Sequence, residues 1–232
     1  MTYVLSDIHG CYDKYMRMLE LIDLKDEDTL YVLGDVVDRG EEGLRVLIDM
    51  SYRWNVIPLL GNHDYMAHNM LRTLNTEITE ENYSTQLDAD ALVRMREWHI
   101  NGGFATQKEF SSLSIDERES VLEYFEEFAL CEDIRIGEKR FVLAHAGLYN
   151  FSPTRPAESY TPDELIWKPC DYSKKYYDDS YLITGHTPTF TIDSASDGRI
   201  YKANNHLAID CGAVFGKKLG CIRLEDFEEY YV

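Results

Sequence analysis

Three short blocks in this 232-residue chain put groups that can bind metal or move protons directly after three consecutive predicted strands. The first is Ser6-Asp7-Ile8-His9-Gly10. In a still-extended segment Asp7 and His9, two apart, point the same way, and a carboxylate beside an imidazole is half of a metal site. The second, Gly34-Asp35-Val36-Val37-Asp38-Arg39-Gly40, brings two carboxylates and a guanidinium. The third, Gly61-Asn62-His63-Asp64, brings a neutral carbonyl oxygen on Asn62 and a titratable ring on His63. Taken singly, each has an ordinary explanation: an Asp helix cap beside a surface His, or an Asp–Arg ion pair in a turn. Their recurrence at one topological position favours a shared site, because ligands of open α/β sheets bind beyond the carboxyl ends of the strands. Two later apolar runs also end in histidine, residues 141–147 in His145-Ala146-Gly147 and residues 181–188 in Gly185-His186-Thr187-Pro188. His68, His99 and His206 follow no such pattern and receive no role.

The elements that must position these groups are legible from periodicity. Strands are predicted at 2–5, 29–33 and 56–60, alternating with helices at 12–24 and 43–54, which is the mark of an α/β sheet with right-handed crossovers. From 65 to 130 the pattern is helical, with the capping box Ser114-x-x-Glu117 opening one helix. Strands resume at 133–136, 140–144, 181–184, 199–202, 206–210 and 219–224. Gly137-Glu138 and Asp197-Gly198 are read as turns between antiparallel partners, and Thr161-Pro162-Asp163-Glu164 as a short helix start. No linker, repeat or low-complexity tract divides the chain, so a single domain over 1–232 is expected.

Composition narrows the function classes. With 44% hydrophobic and 28% charged residues, the chain is globular in type rather than disordered or fibrous. Its 23 Lys+Arg against 42 Asp+Glu give a net charge of −19, which repels duplex nucleic acid and anionic membranes at long range but leaves room for a phosphorylated ligand in a locally positive pocket. Five cysteines, none in a C-x-x-C pair, are neither a disulfide framework nor a thiolate zinc site. The start, MTYVLSDIHG, is neither basic nor followed by a long apolar run. The expectation is therefore no signal peptide, no membrane span and a cytoplasmic protein.

The ordered set SDIHG, GDVVDRG, GNHD, HAG and GHT resembles the calcineurin-like metallophosphoesterases, nearest the phosphoprotein phosphatase branch with the bacteriophage lambda protein phosphatase. Residues 209–219 and Asn101-Gly102-Gly103 are similar to further segments of the family. The resemblance implies a four-layer α/β/β/α sandwich with a helical insertion at about 65–130 and a two-metal centre. Carried over residue by residue, Asp7, His9 and Asp35 would hold one metal, and Asp35 with Asn62, His145 and His186 the other. Such a mixed oxygen and nitrogen set suits manganese first, with iron or zinc as alternatives, rather than calcium. Two such ions can activate a shared water for in-line attack on phosphorus without a side-chain nucleophile. The resemblance makes His63 the general acid, oriented by Asp38, with Arg39, Asn62 and His145 meeting the phosphate. One departure stands out: the family's second phosphate-binding arginine after a Trp is replaced here by Trp167-Lys168-Pro169, so Lys168, or an arginine such as Arg155, would have to substitute. The implied activity is a serine/threonine protein phosphatase, the alternative a symmetrical bis(5'-nucleosyl)-tetraphosphatase, and the third possibility a non-catalytic metal-binding member. Substrates would be a phosphorylated protein, a small phosphoester or a dinucleotide, with the oligomeric state left open.

Overall fold

The computed structural model describes residues 1–77, 79, 82 and 89–232. The chain opens with β1 (Thr2–Leu5), α1 (Tyr12–Ile22), β2 (Thr29–Val32), α2 (Gly43–Ser51) and β3 (Val56–Pro58). Helices follow: α3 (Asn62–Asn75), α4 (Ala89–Trp98), a π turn (His99–Gly103), α5 (Phe104–Ser112) and α6 (Ile115–Glu126). Then come β4 (Cys131–Ile136), β5 (Lys139–Ala144), α7 (Pro162–Ile166), β6 (Ser180–Thr184), α8 (Thr189–Ile192), β7 (Tyr201–Ala203), β8 (His206–Ala208), β9 (Gly220–Arg223) and β10 (Glu229–Tyr231).

Two mixed five-stranded sheets result, in the orders β10-β9-β1-β2-β3 and β4-β5-β6-β8-β7. The pairs β1–β2 and β2–β3 are parallel, as are β5–β6 and β6–β8, so the functional strands all end at the same edge of their sheet. Alternation along each strand sorts side chains into layers. Tyr3, Leu5, Leu30 and Val32 face Met18, Leu47, Leu71, Trp98 and Phe125 of the helices. Val4, Tyr31, Leu33 and Ile222 face Phe141, Leu143, Ile183 and Leu207 of the second sheet. Val142, Ala144 and Leu182 on the outer side of that sheet are covered by Leu148, Tyr160, Leu165, Ile166 and Cys170. This outermost layer is mostly irregular chain around the five-residue α7, whereas the layer on the first sheet is helical.

The Ser114 and Glu117 capping box forms, with Glu117 Oε2 accepting from Ser114 N at 2.8 Å. Thr161 N donates to Glu164 Oε2 at 3.0 Å at the start of α7. Gly137-Glu138 turns β4 into β5 as expected. Asp197-Gly198 does not turn a hairpin; it follows a single 3-10 turn at Ser194–Ser196. The β7–β8 hairpin is made instead by Asn204-Asn205, with φ of 56° and 58°, a pair whose short amide side chains tolerate the left-handed region that a tight hairpin demands. Among the described residues, none of the five cysteines forms a disulfide. Among the described residues, no helix is long and apolar enough to cross a membrane.

Candidate metal centre

Past the last rungs of β1 and β2 the two chains keep pairing. Leu33 N donates to Leu5 O at 2.9 Å, Asp7 N to Gly34 O at 3.1 Å, His9 N to Asp35 O at 2.9 Å and Gly10 N to Val36 O at 2.9 Å. This prolonged contact is built on an unusual backbone. Asp7, His9, Asp35, Asp38, Arg39 and His186 all have positive φ, between 44° and 68°. Half of the described non-glycine residues in that region are therefore candidate site residues, each at a cost of roughly 1–3 kcal/mol that the surrounding hydrogen bonds must offset. The expectation that Asp7 and His9 share a direction because the segment is extended is overturned. Both sit in left-handed turns, and those turns carry them toward the second sheet edge and Asp35. Close approach completes the packing. A Cβ on Gly61 would lie 2.2 Å from Asp35 Oδ1, and one on Gly185 would lie 1.9 Å from Ser6 Oγ, so neither position admits a side chain.

Asp64, one residue beyond His63, holds the loop after β2. Its buried carboxylate accepts from Asp35 N (2.7 Å), Val36 N (2.9 Å), Val37 N (3.3 Å) and Gly61 N (3.1 Å). It thereby caps α3 and pins the Asp35 loop in one contact set. Burial, then the charge of Asp35, pushes the Asp64 carboxyl above its usual range.

Around Asp35 the histidines fall into two kinds. His63 Nδ1 lies 2.9 Å from Asp38 Oδ2. Asp38 is wholly buried, and its charge is matched by donors: Trp98 Nε1 at 2.9 and 3.1 Å from its two oxygens, and Thr106 Oγ1 at 2.7 Å. Burial works against a charged His63 ring, but Asp35 and the Asp38 hydrogen bond outweigh it and hold the group above the ordinary histidine value. His9 and His145 turn Nδ1 to backbone carbonyls, Val37 O at 2.9 Å and Leu33 O at 2.6 Å. That leaves each Nε2 as the lone-pair nitrogen facing inward. Burial depresses His9 to about 3 and lowers His145. It depresses His186 to about 4, with the His145 ring adding to the effect. On Asp35 burial acts upward, but His145, His63, His9 and His186 together hold its carboxyl far below the usual range.

Asp35 is common to two sets of donor atoms that lie within 4.8 Å of one another, His9/Asp35/His63 and Asp35/His145/His186. Asn62 Oδ1 joins the second set, 3.0 Å from His145 Nε2 and 2.9 Å from His186 Nδ1, while the two ring nitrogens are 3.2 Å apart. Asp7 is buried beside these sets; its carboxylate accepts from Ser6 Oγ and from His186 N at 3.0 and 3.2 Å. Burial and the neighbouring Asp210 and Asp35 raise its pKa. Arg39 spans the two rings of the first set, with Nη1 2.7 Å from His9 Nε2 and Nη2 2.9 Å from His63 Nε2.

Lys168 is not brought into this cluster. It is exposed, with Nζ 5.9 Å from the ring centre of Tyr149. Arg155 does not reach in either: it pairs with Glu164 through Nη1–Oε1 (2.9 Å) and Nη2–Oε2 (2.7 Å) and covers the Tyr160 ring. Neither residue supplies the missing bidentate arginine. His206 is packed away, its Nε2 2.8 Å from Thr184 Oγ1 and its ring stacked on Tyr172. Sequence reasoning missed Asp64, Trp98 and Thr106 as positioning residues. For Asp64 a signal was present, an acidic residue at the third position of a helix that begins after Gly61. For Trp98 and Thr106 there was none, since their partner lies 60 and 68 positions away.

A family model described as calcineurin-like phosphoesterase matches residues 2–205. The serine/threonine-protein phosphatase 2 of Salmonella typhimurium is 28% identical over 184 residues, 78% of this chain and 66% of that protein. The symmetrical bis(5'-nucleosyl)-tetraphosphatase of Erwinia tasmaniensis is 33% identical over 99 residues, 42% of this chain and 36% of that protein. The chain thus spans less than two thirds of the length of these curated relatives. A crystal structure of a proposed diadenosine tetraphosphatase superposes with a TM-score of 0.67 at 18% identity, covering 100% of this chain and 92% of the other, which establishes the shared fold.

Proposed function

Because the chain belongs to the calcineurin-like phosphoesterase family, we propose that it hydrolyses phosphoric esters with two divalent cations, one held by Asp7, His9 and Asp35 and one by Asp35, Asn62, His145 and His186. The observation that carries this reading is the single Asp35 carboxylate shared by two donor sets, His9/Asp35/His63 and Asp35/His145/His186; Asp7, buried beside them, is added to the first on the family resemblance, and His63 is assigned to the proton rather than to a cation. The donor chemistry fits. Two imidazoles are fixed by backbone carbonyls in the tautomer that offers Nε2, and the oxygen donors are hard ligands suited to manganese, or to iron or zinc. When bound, such a pair supplies charge neutralisation at the phosphoryl oxygens and an activated water.

The chain's own residues supply the rest. The Arg39 fork, which spans His9 and His63, presents two N–H groups to phosphoryl oxygens lying between those rings. His63 holds its Nδ1–H on Asp38; its Nε2 accepts from Arg39 in the neutral ring, and carries the second proton for the leaving oxygen when the ring is protonated and Arg39 turns to the phosphate. The raised pKa keeps more of the ring in that acid form near neutral pH. Asp38 acts through His63, and Trp98 and Thr106 act through Asp38. Lys168 has no part in this reading.

Hydrolysis of a phosphoserine or phosphothreonine ester on protein and symmetrical cleavage of a dinucleoside tetraphosphate are both compatible with this machinery. The relatives' names support each equally. The test is turnover of p-nitrophenyl phosphate with added Mn²⁺ and metal analysis of the purified protein, for the parent, Asp35→Asn and His63→Asn. Both variants are expected to be slower. Variants as fast as the parent would overturn the assignment, and stoichiometric metal without hydrolysis across a phosphoester panel would favour a non-catalytic role.

A further inference from the structure

Arg39 is exposed, and among the described residues no carboxylate lies within ion-pair distance of its guanidinium. The guanidinium instead meets the Nε2 atoms of His9 and His63. In the phosphoesterase reading above, on which this inference rests, the first of those atoms is claimed by a cation and the second by the transferable proton. Neither then holds the guanidinium in the working centre. Packing from two distant segments remains. The Arg39 stem lies against Gly102 of the π turn: a Cβ there would come 2.8 Å from Arg39 Cγ, and Arg39 N donates to Gly102 O at 3.1 Å. The head of the side chain lies over the ring of Phe215, with Cζ 5.5 Å from the ring centre, within the range of a cation–π contact.

The ring is itself held in place. Phe215 ends the 3-10 turn Ala213–Phe215, which is entered through Gly212 and left through Gly216, at φ of 77° and 75°. Lys14 of α1 ties the turn down by donating to Ala213 O at 2.8 Å and to Lys217 O. Phe190 of α8 meets Phe215 edge-on, with ring centres 6.1 Å apart, and packs on Gly212, where a Cβ would lie 2.6 Å from Phe190 Cε1. Yet Phe215 is 53% exposed, so filling the core does not account for its size. We propose that Phe215 is a positioning residue for Arg39: its ring face holds the guanidinium beside the two imidazoles while the N–H fork stays free for two phosphoryl oxygens. A ring attracts the cation through its quadrupole and leaves the fork unpaired, whereas a carboxylate would take both N–H groups. Holding the head in advance also reduces the rotamer freedom that a long exposed side chain gives up when it grips an anion. Phe215 acts through Arg39 and makes no bond to the phosphate.

The test is a double-mutant cycle on the Mn²⁺-loaded chain. It is read by calorimetric binding of inorganic phosphate and by KM and kcat for p-nitrophenyl phosphate. Phe215→Leu keeps an apolar side chain against Phe190 and removes the ring face. It is expected to weaken phosphate binding and to raise KM, each by roughly threefold to tenfold, with kcat changed by less than about twofold. Phe215→Trp, which offers a larger ring face, should match the parent or bind phosphate more tightly. In an Arg39→Ala background the Leu substitution should have almost no further effect, because the two changes remove one interaction. Phosphate binding by Phe215→Leu equal to that of the parent would overturn the positioning role. So would equal losses with and without Arg39, which would mean that the ring serves the loop or touches the substrate directly. A parent that shows this pattern in phosphate binding but hydrolyses no phosphoester would instead overturn the phosphoesterase reading and leave the role of Phe215 standing. A parent that binds no phosphate would overturn both.

Discussion

The His63 side and the His145/His186 side of the centre use the same residue type around the same carboxylate, yet the surroundings divide them. His63 has its Nδ1 on the Asp38 carboxylate and is raised above the ordinary histidine value. His145 has its Nδ1 on a backbone carbonyl, and His186 faces a second ring; both are lowered. All are largely buried, so burial alone does not decide which becomes an acid and which a lone-pair donor. Asp35 acts upward on all three rings, and His63 adds to it a hydrogen bond to a second carboxylate, Asp38. A full negative charge favours the imidazolium; a carbonyl dipole only selects the tautomer.

The largest test of that division is Asp35→Asn, which removes the carboxylate common to both sides. It should lower activity by more than the roughly 10²–10⁴-fold associated with a lost general acid, and metal analysis should show depleted cation. Next is His63→Asn. Here metal content should be retained, and turnover of an alkyl phosphate should fall by roughly 10²–10⁴-fold. Turnover of p-nitrophenyl phosphate, whose leaving group needs little protonation, should fall much less. Equal losses on both substrates would remove His63 from the role of acid.

Asp38→Asn is expected to cost roughly 10–100-fold, as for other residues that act by orienting a reacting ring. Its signature is the pH profile. The raised pKa of His63 extends the protonated, active form to higher pH, so without Asp38 the alkaline limb of kcat/KM should move to lower pH. An unmoved limb would mean that Asp38 does not set the proton affinity of His63.

The smallest effect concerns His206, a buried histidine whose proton affinity is moved by burial. Burial depresses its pKa from 6.5 to about 4. The folded chain then resists a proton that the unfolded chain accepts. Its contribution is complete above pH 6.5 and is lost as pH falls toward 4, at up to about 1.4 kcal/mol per pH unit. Urea midpoints at pH 7 and pH 5 should differ less in His206→Phe than in the parent.

Most of the fold and the residues of the centre were legible because their determinants are local. Apolar alternation marked β1, β2, β5 and β6, and the glycines beside Asp35, His145 and His186 marked where strands yield to turns. Three kinds of feature escaped. β10 carries three half-buried residues, Glu229, Tyr230 and Tyr231, so no periodicity announces it. The Asn204-Asn205 hairpin was overlooked in favour of Asp197-Gly198, because dipeptide preference speaks to backbone freedom and not to which strands are near. The shared direction read for Asp7 and His9 rested on a mistaken geometry, since an extended reading cannot anticipate turns stabilised by another loop's backbone.

By itself the sequence determined the chemical inventory, its order and the strand ends that carry it, since residue type and hydrophobic period are properties of short stretches. Only the tertiary structure decided that Asp38 is held by Trp98 and Thr106, that Asp64 ties the Asp35 loop to α3, and that Arg155 is spent on Glu164. Each of those outcomes is a hydrogen bond or ion pair whose strength depends on distance through space and on exclusion of water. Neither quantity is written in the spacing along a chain.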